Sequence, residues 1–253
     1  KTANQVLQTP GREIQSVAQA SFDAWVKYYR PEPNTANATV SYYTKGALVA
    51  LCFDLTLRLE GKCTLDDVMR GLWARSQAQE VKGPMSERDF AAVLQELGGR
   101  SFAKEIAAWV HGTQELPVQA LLTKHGVSVN NDPAQLQQRL GLRVTEKAGE
   151  GIQIKVVLRG GAAEQAGFAP GDEWLGIELG SDKSKAKTAQ SWRIHALDDL
   201  ALYVGASKQV TALVARDKRI IKLPLILNMP ASAATTWRLA VQDAKQVGAW
   251  LAA

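Results

Sequence analysis

The chain has 253 residues, 46% of them hydrophobic, and a formal charge of +5; that length suits two compact domains with buried cores better than one. Its basic and acidic residues are mixed along the chain, which excludes the clustered electrostatic footprint of a nucleic-acid binder. No window approaches the roughly 20 consecutive apolar residues of a membrane span.

The opening Lys1-Thr2-Ala3-Asn4-Gln5 is not a signal peptide and lacks an initiator methionine, so the sequence is expected to be a piece of a longer protein. From 11 to 126 the periodicity is helical. Val17, Phe22, Trp25 and Tyr28 are expected on one face of a first helix that stops before Pro31, with 33–37 as a loop. Val40, Tyr43, Ala47, Leu48, Leu51 and Leu55 recur at helical spacing in a mostly buried helix that Gly61 ends. Thr64 with Asp67, and Ser86 with Asp89, have capping-box spacing before apolar runs. Gly98-Gly99 closes the second of these helices, Phe102, Ile106, Trp109 and Val110 mark another, and a short one runs from Pro117 to near Gly126.

After Asn130-Asn131-Asp132-Pro133 the period moves towards 2, with β-rich runs at 140–144, 152–158, 173–179, 210–215 and 220–227. Helical pieces at 162–166 and 197–204 interrupt them, and Ser181-Asp182-Lys183-Ser184-Lys185 reads as a loop. The division expected is 1–128 helical, 129–228 a small α+β or partly open barrel domain, and 229–253 a tail. Beyond Met229-Pro230 that tail, with Trp237, Leu239, Val247, Trp250 and Leu251, is expected to form one amphipathic helix docked on the body.

Cys52 and Cys63 are too few for a disulfide framework and lack the paired spacing of a structural zinc site. They read as a buried thiol and a loop thiol, with a bridge left open. The three histidines, His111, His125 and His195, lie far apart without H-E-x-x-H spacing, so no metal ligands are assigned. A G-x-S-x-G elbow and a P-loop are also missing, and Gly160, Gly161 and Gly167 do not make a dinucleotide fingerprint.

Tyr43-Thr44-Lys45-Gly46 fits Y-x-K-G at the start of an apolar helix. With Ser21-Phe22-Asp23-Ala24-Trp25, Tyr29-Arg30-Pro31 and Leu65-Asp66-Asp67-Val68-Met69-Arg70, it resembles the glycyl-aminopeptidase family of bacterial gluzincin zinc metallopeptidases. The resemblance implies that the helical part is the C-terminal portion of a zincin-type catalytic domain, and that a PDZ domain follows it. It further implies zinc in the full-length parent but none in this fragment, whose metal-binding N-terminal part is missing. Peptides with N-terminal Gly or Ala are the implied substrates. Tyr43 is then the candidate catalytic residue, its hydroxyl donating to the oxyanion of the tetrahedral intermediate, with Tyr42 as the alternative. Without chemistry, Tyr43 would be a packed aromatic whose hydroxyl is satisfied.

Arg139-Leu140-Gly141-Leu142, Gly161-Ala162-Ala163-Glu164-Gln165-Ala166-Gly167 and Pro170-Gly171-Asp172-Glu173 resemble a bacterial PDZ domain. This implies a groove for peptide C-termini formed by Leu140, Gly141, Leu142 and Arg143 with Leu197, Leu200 and Ala201. The glycines alone would equally serve as turn residues. A non-enzymatic PDZ adaptor is the alternative function, and the compartment stays open between cytoplasm and periplasm.

Overall fold

The computed structural model describes residues 1–78, 83–147, 151–180, 190–228 and 234–251. The loop expected at Ser181–Lys185 and the break at Met229-Pro230 lie outside them.

The first half is helical. α1 (Thr2–Leu7) leads through a 3₁₀ turn (Pro10–Glu13) to α2 (Val17–Phe22), whose N-terminus Ser16 and Gln19 close with a capping box. The chain then makes a π-helical turn (Ala24–Tyr28), with the Tyr29 amide donating to the Ala24 carbonyl. This wider turn breaks the 3.6-residue phase. Phe22 and Trp25 are therefore not packed on one helix face with Val17; they are 90% and 80% exposed. The 33–37 loop folds partly into a helical turn, α3 (Thr35–Ala38), packed against the 3₁₀ turn.

α4 (Tyr42–Glu60) is the central helix and ends at Gly61 with φ +67, a left-handed cap that suits glycine. α5 (Leu65–Ala78) and α6 (Glu87–Gly98) begin at the two expected capping boxes. α7 (Ala103–Glu105), a second π turn (Ile106–Val110) and α8 (Val118–Lys124) complete the helical half. Phe53, Leu57, Val68, Leu94 and Phe102 form one core between α4, α5 and α6. No described helix is long and apolar enough to cross a membrane.

The second half contains β1 (Val127–Asp132), α9 (Leu136–Leu140), β2 (Leu142–Lys147), β3 (Gly151–Val157), α10 (Ala162–Ala166), β4 (Glu173–Leu179), β5 (Gln190–Arg193), α11 (Asp199–Val204), β6 (Gln209–Arg216) and β7 (Arg219–Ile226). β2-β3-β4-β6-β7 run antiparallel in that order, with β5 sharing an edge of β4. β2 and β7 are not paired to each other, so the sheet does not close. Leu140, Ile152, Trp174, Ile177, Leu200, Ala212 and Leu225 fill its core.

The tail is not one helix. Trp237, Leu239 and Val241 alternate with Arg238 and Ala240, and that period of 2 lets β8 (Thr236–Val241) pair antiparallel with β1. Only α12 (Ala244–Leu251) is helical; it buries Val247 beside Leu55 and Leu122. The Asn4 side chain locks this return by accepting from the Trp237 amide at 2.8 Å and donating to the Trp237 carbonyl at 3.0 Å.

A candidate active-site face around Tyr43

The face is built at the start of α4. Ser41 is its N-cap, with Oγ accepting from the Thr44 amide at 3.3 Å, and this fixes Tyr42 and Tyr43 on the first turn. Tyr43 is 58% exposed. The π turn brings Tyr28 and Tyr29 over the same spot. The Tyr29 hydroxyl lies 3.1 Å from the hydroxyls of both Tyr42 and Tyr43. The Tyr28 ring stands edge-on to those of Tyr29, Tyr42 and Tyr43, with centroids 5.2, 5.4 and 6.0 Å away. Trp25 packs on Tyr29 at 5.2 Å. The result is an uncovered aromatic surface in which three phenolic oxygens converge.

These contacts split the acidities of neighbouring phenols. Hydrogen bonds from Tyr29 and then Tyr42 lower the Tyr43 pKa below the ordinary phenol value. Hydrogen bonding to Tyr29, then to Tyr43, raises that of Tyr42. A phenol that is still protonated near neutral pH but loses its proton more readily is a stronger hydrogen-bond donor.

Lys45 and Gly46 of the same motif face inward. Lys45 is 2% exposed and its Nζ donates to the Arg12 carbonyl at 3.0 Å. Desolvation lowers its pKa, while Glu115 opposes that shift. Arg12, also buried, pairs with Glu115 at 2.7 Å and Glu13 at 3.0 Å. This lysine anchors α4 to the 3₁₀ turn. Gly11 lets the chains approach there, since a Cβ on it would fall 2.1 Å from the Thr39 carbonyl oxygen.

The groove residues named from sequence are dispersed in depth. Leu140, Leu142, Leu197 and Leu200 are buried in the sheet core, whereas Ala201 is exposed. Gly141 caps α9 with φ +72; its amide donates to Gln138 and its carbonyl accepts from Leu158. Arg143 points to the helical half and donates to the Gln8 carbonyl at 3.2 Å. Between β2 and the start of α11 lies a cavity of about 440 Å³, lined by Leu136, Val144, Glu146 and Leu197 among others. α9 was not foreseen.

The histidines are spread out. His111 pairs with Glu87 at 2.7 Å, buried His125 bonds the Leu55 carbonyl at 2.9 Å, and His195 is exposed on the sheet half. Among the described residues no three His, Cys, Asp or Glu side chains converge as a metal-ligand set. Both cysteines are free, Cys52 buried and Cys63 partly so. In the sequence Tyr29 stands out only as part of Tyr29-Arg30-Pro31. The signal for its role is the density of aromatics there beside a second Tyr-Tyr pair at 42–43.

Residues 1–49 match the family model of M61 glycyl aminopeptidase. The structure is similar to a crystal structure described as an aminopeptidase N family protein from Idiomarina loihiensis, with a TM-score of 0.81 and 25% sequence identity. That alignment covers 99% of this chain and 43% of the other, so the chain spans less than half the length of that relative. No curated protein matches in sequence. The likeness to the family model is confined to the first 49 residues, and the structural likeness runs over nearly the whole of this chain.

Proposed function

We propose that this chain belongs to the M61 aminopeptidase family, and that it is the C-terminal part of a zinc-dependent aminopeptidase that releases N-terminal Gly or Ala from peptides; the family likeness of residues 1–49 and the likeness to an aminopeptidase N family structure support this reading. The observation that carries it is the exposed side chain of Tyr43 on the first turn of α4, where the Y-x-K-G motif turns its tyrosine to the surface and its lysine to the core. In this reading Tyr43 donates its O–H to the oxyanion of the tetrahedral intermediate, an interaction strongest when that charge has developed. A zinc ion held by other residues of the parent would supply polarisation of the carbonyl and activation of water. The isolated chain is therefore expected to be inactive.

The exposed aromatic face around Tyr43 suits a surface that the remainder of the parent covers. The sheet half is proposed as a PDZ-like module that binds peptide C-termini or positions substrate. The edge of β2 that pairs with no described strand, α11 and the cavity between them favour that assignment.

The test is turnover of Gly and Ala aminoacyl substrates by the full-length protein, with and without a chelator, and by its Tyr43→Phe variant. Chelator-sensitive turnover that drops sharply in the variant supports the proposal. Wild-type turnover in Tyr43→Phe removes Tyr43 from the chemistry. No turnover in the full-length protein, with peptide binding by this chain, favours a non-enzymatic adaptor.

A further inference from the structure

We infer that Tyr29 is the positioning residue of Tyr43: its hydroxyl accepts from Tyr42 and donates to Tyr43, leaving the Tyr43 O–H free to point outward at a substrate oxygen. The inference rests on the catalytic reading of Tyr43 and adds a residue to it. The Tyr29 oxygen is 3.1 Å from both partners, and a hydroxyl offers one donor and two acceptor positions, so it can serve both at once. Tyr29 cannot swing away freely. Its amide closes the π turn on the Ala24 carbonyl, Trp25 packs against its ring at 5.2 Å, and Tyr28 stands edge-on to it. Tyr42 and Tyr43, with ring centroids 4.2 Å apart, are held together by the N-capped first turn of α4.

The proposed direction of the hydroxyl chain sets what each end does. Tyr42 gives its proton to Tyr29, so ionising Tyr42 costs that bond. Tyr43 receives a proton from Tyr29, so its ionised form is stabilised. The opposed shifts of the two phenols, with Tyr29 the first cause of each, agree with this order. Chained hydrogen bonds polarise one another, which strengthens the terminal donor. Among the described residues, Tyr28, Tyr29 and Tyr42 make ring or hydroxyl contacts with Tyr43.

Two readouts test the role. The near-ultraviolet tyrosinate band of this chain is titrated in the wild type and in Tyr29→Phe, Tyr43→Phe and Tyr203→Phe, the last altering the one tyrosine outside the cluster. The earliest ionising phenol is expected to vanish in Tyr43→Phe, to shift upward in Tyr29→Phe and to stay in Tyr203→Phe. In the full-length protein Tyr29→Phe, which keeps the ring, should lower kcat roughly 10-fold, the worth of one hydrogen bond. KM should stay nearly constant while the alkaline limb of the kcat profile moves upward. An unshifted titration and wild-type kcat in Tyr29→Phe, beside a crippled Tyr43→Phe, overturn the positioning role and leave the catalytic reading intact. Wild-type kcat in Tyr43→Phe overturns both.

Discussion

Gly141 and Gly161 meet backbone to backbone: a Cβ on Gly161 would lie 2.8 Å from the Gly141 Cα and 2.8 Å from the Leu140 carbonyl oxygen. Gly161 has φ −91 and ψ 162, an extended conformation open to any residue. Its requirement is therefore space, not torsion. Gly161→Ala should destabilise the sheet half by about 1–3 kcal/mol through overpacking. Denaturant unfolding followed by the fluorescence of a variant that keeps Trp174 as its one tryptophan in the sheet half, with Trp192 replaced by Phe, measures this, and an unchanged midpoint would show that the two loops can part without cost.

Asp172 and Arg216 make the second fixed point of that half. Asp172 is buried and receives two charge-assisted hydrogen bonds of 2.7 Å from Arg216, while its Oδ2 also accepts from the Ala169 amide at 2.8 Å. Arg216→Ala strands the carboxylate in the core. The expected loss is roughly 2–3 kcal/mol, below the range for a fully buried pair because the guanidinium is partly solvated. Lys222→Ala, which breaks the exposed pair with Glu178, should cost under about 1 kcal/mol. Equal losses in the two variants would contradict this ranking.

Phe22 and Phe53 give opposite predictions for one residue type. Phe22 is 90% exposed, so Phe22→Ser should leave the stability of this chain within about 0.5 kcal/mol while reducing dye binding and self-association. Phe53, 2% exposed among Phe90, Phe102 and Trp109, should cost about 3–5 kcal/mol as Phe53→Ala. Strong destabilisation by Phe22→Ser would mean that the aromatic face is packed in solution.

These contrasts show where the sequence was legible. Ser86 with Asp89, Thr64 with Asp67, and the left-handed Gly61 and Gly99 were readable because caps involve residues within one turn. Phe22 and Trp25 were misread because periodicity reports a phase but not what covers a face, and the π turn then shifts the phase. β8 was missed because its partner β1 lies more than a hundred residues upstream and its alternation is brief. At the candidate site, motif spacing marked Tyr43. Tyr29 could not be tied to it, since that contact depends on the π turn and the chain reversal after Pro31.

The pH dependence of stability offers a last test, through Cys52. This thiol is fully buried on α4 beside Leu48 and Leu55, and desolvation pushes its pKa from near 9 up to about 12. The folded chain keeps this proton after the unfolded chain has lost it. A raised folded pKa means that the stabilisation is fully present below about pH 9 and is lost as pH rises towards 12. One such group changes stability by at most about 1.4 kcal/mol per pH unit. Lysines and tyrosines titrate in the same window, so the comparison must be with Cys52→Ala, which retains them and lacks the thiol. The stability difference between wild type and Cys52→Ala should stay constant below pH 9 and narrow above it. In the native state at mild pH, a thiol reagent should modify Cys63 well before Cys52, because only Cys63 is partly exposed. Equal labelling rates, or a difference that stays flat to high pH, would place Cys52 in contact with solvent and open the core of α4 to revision.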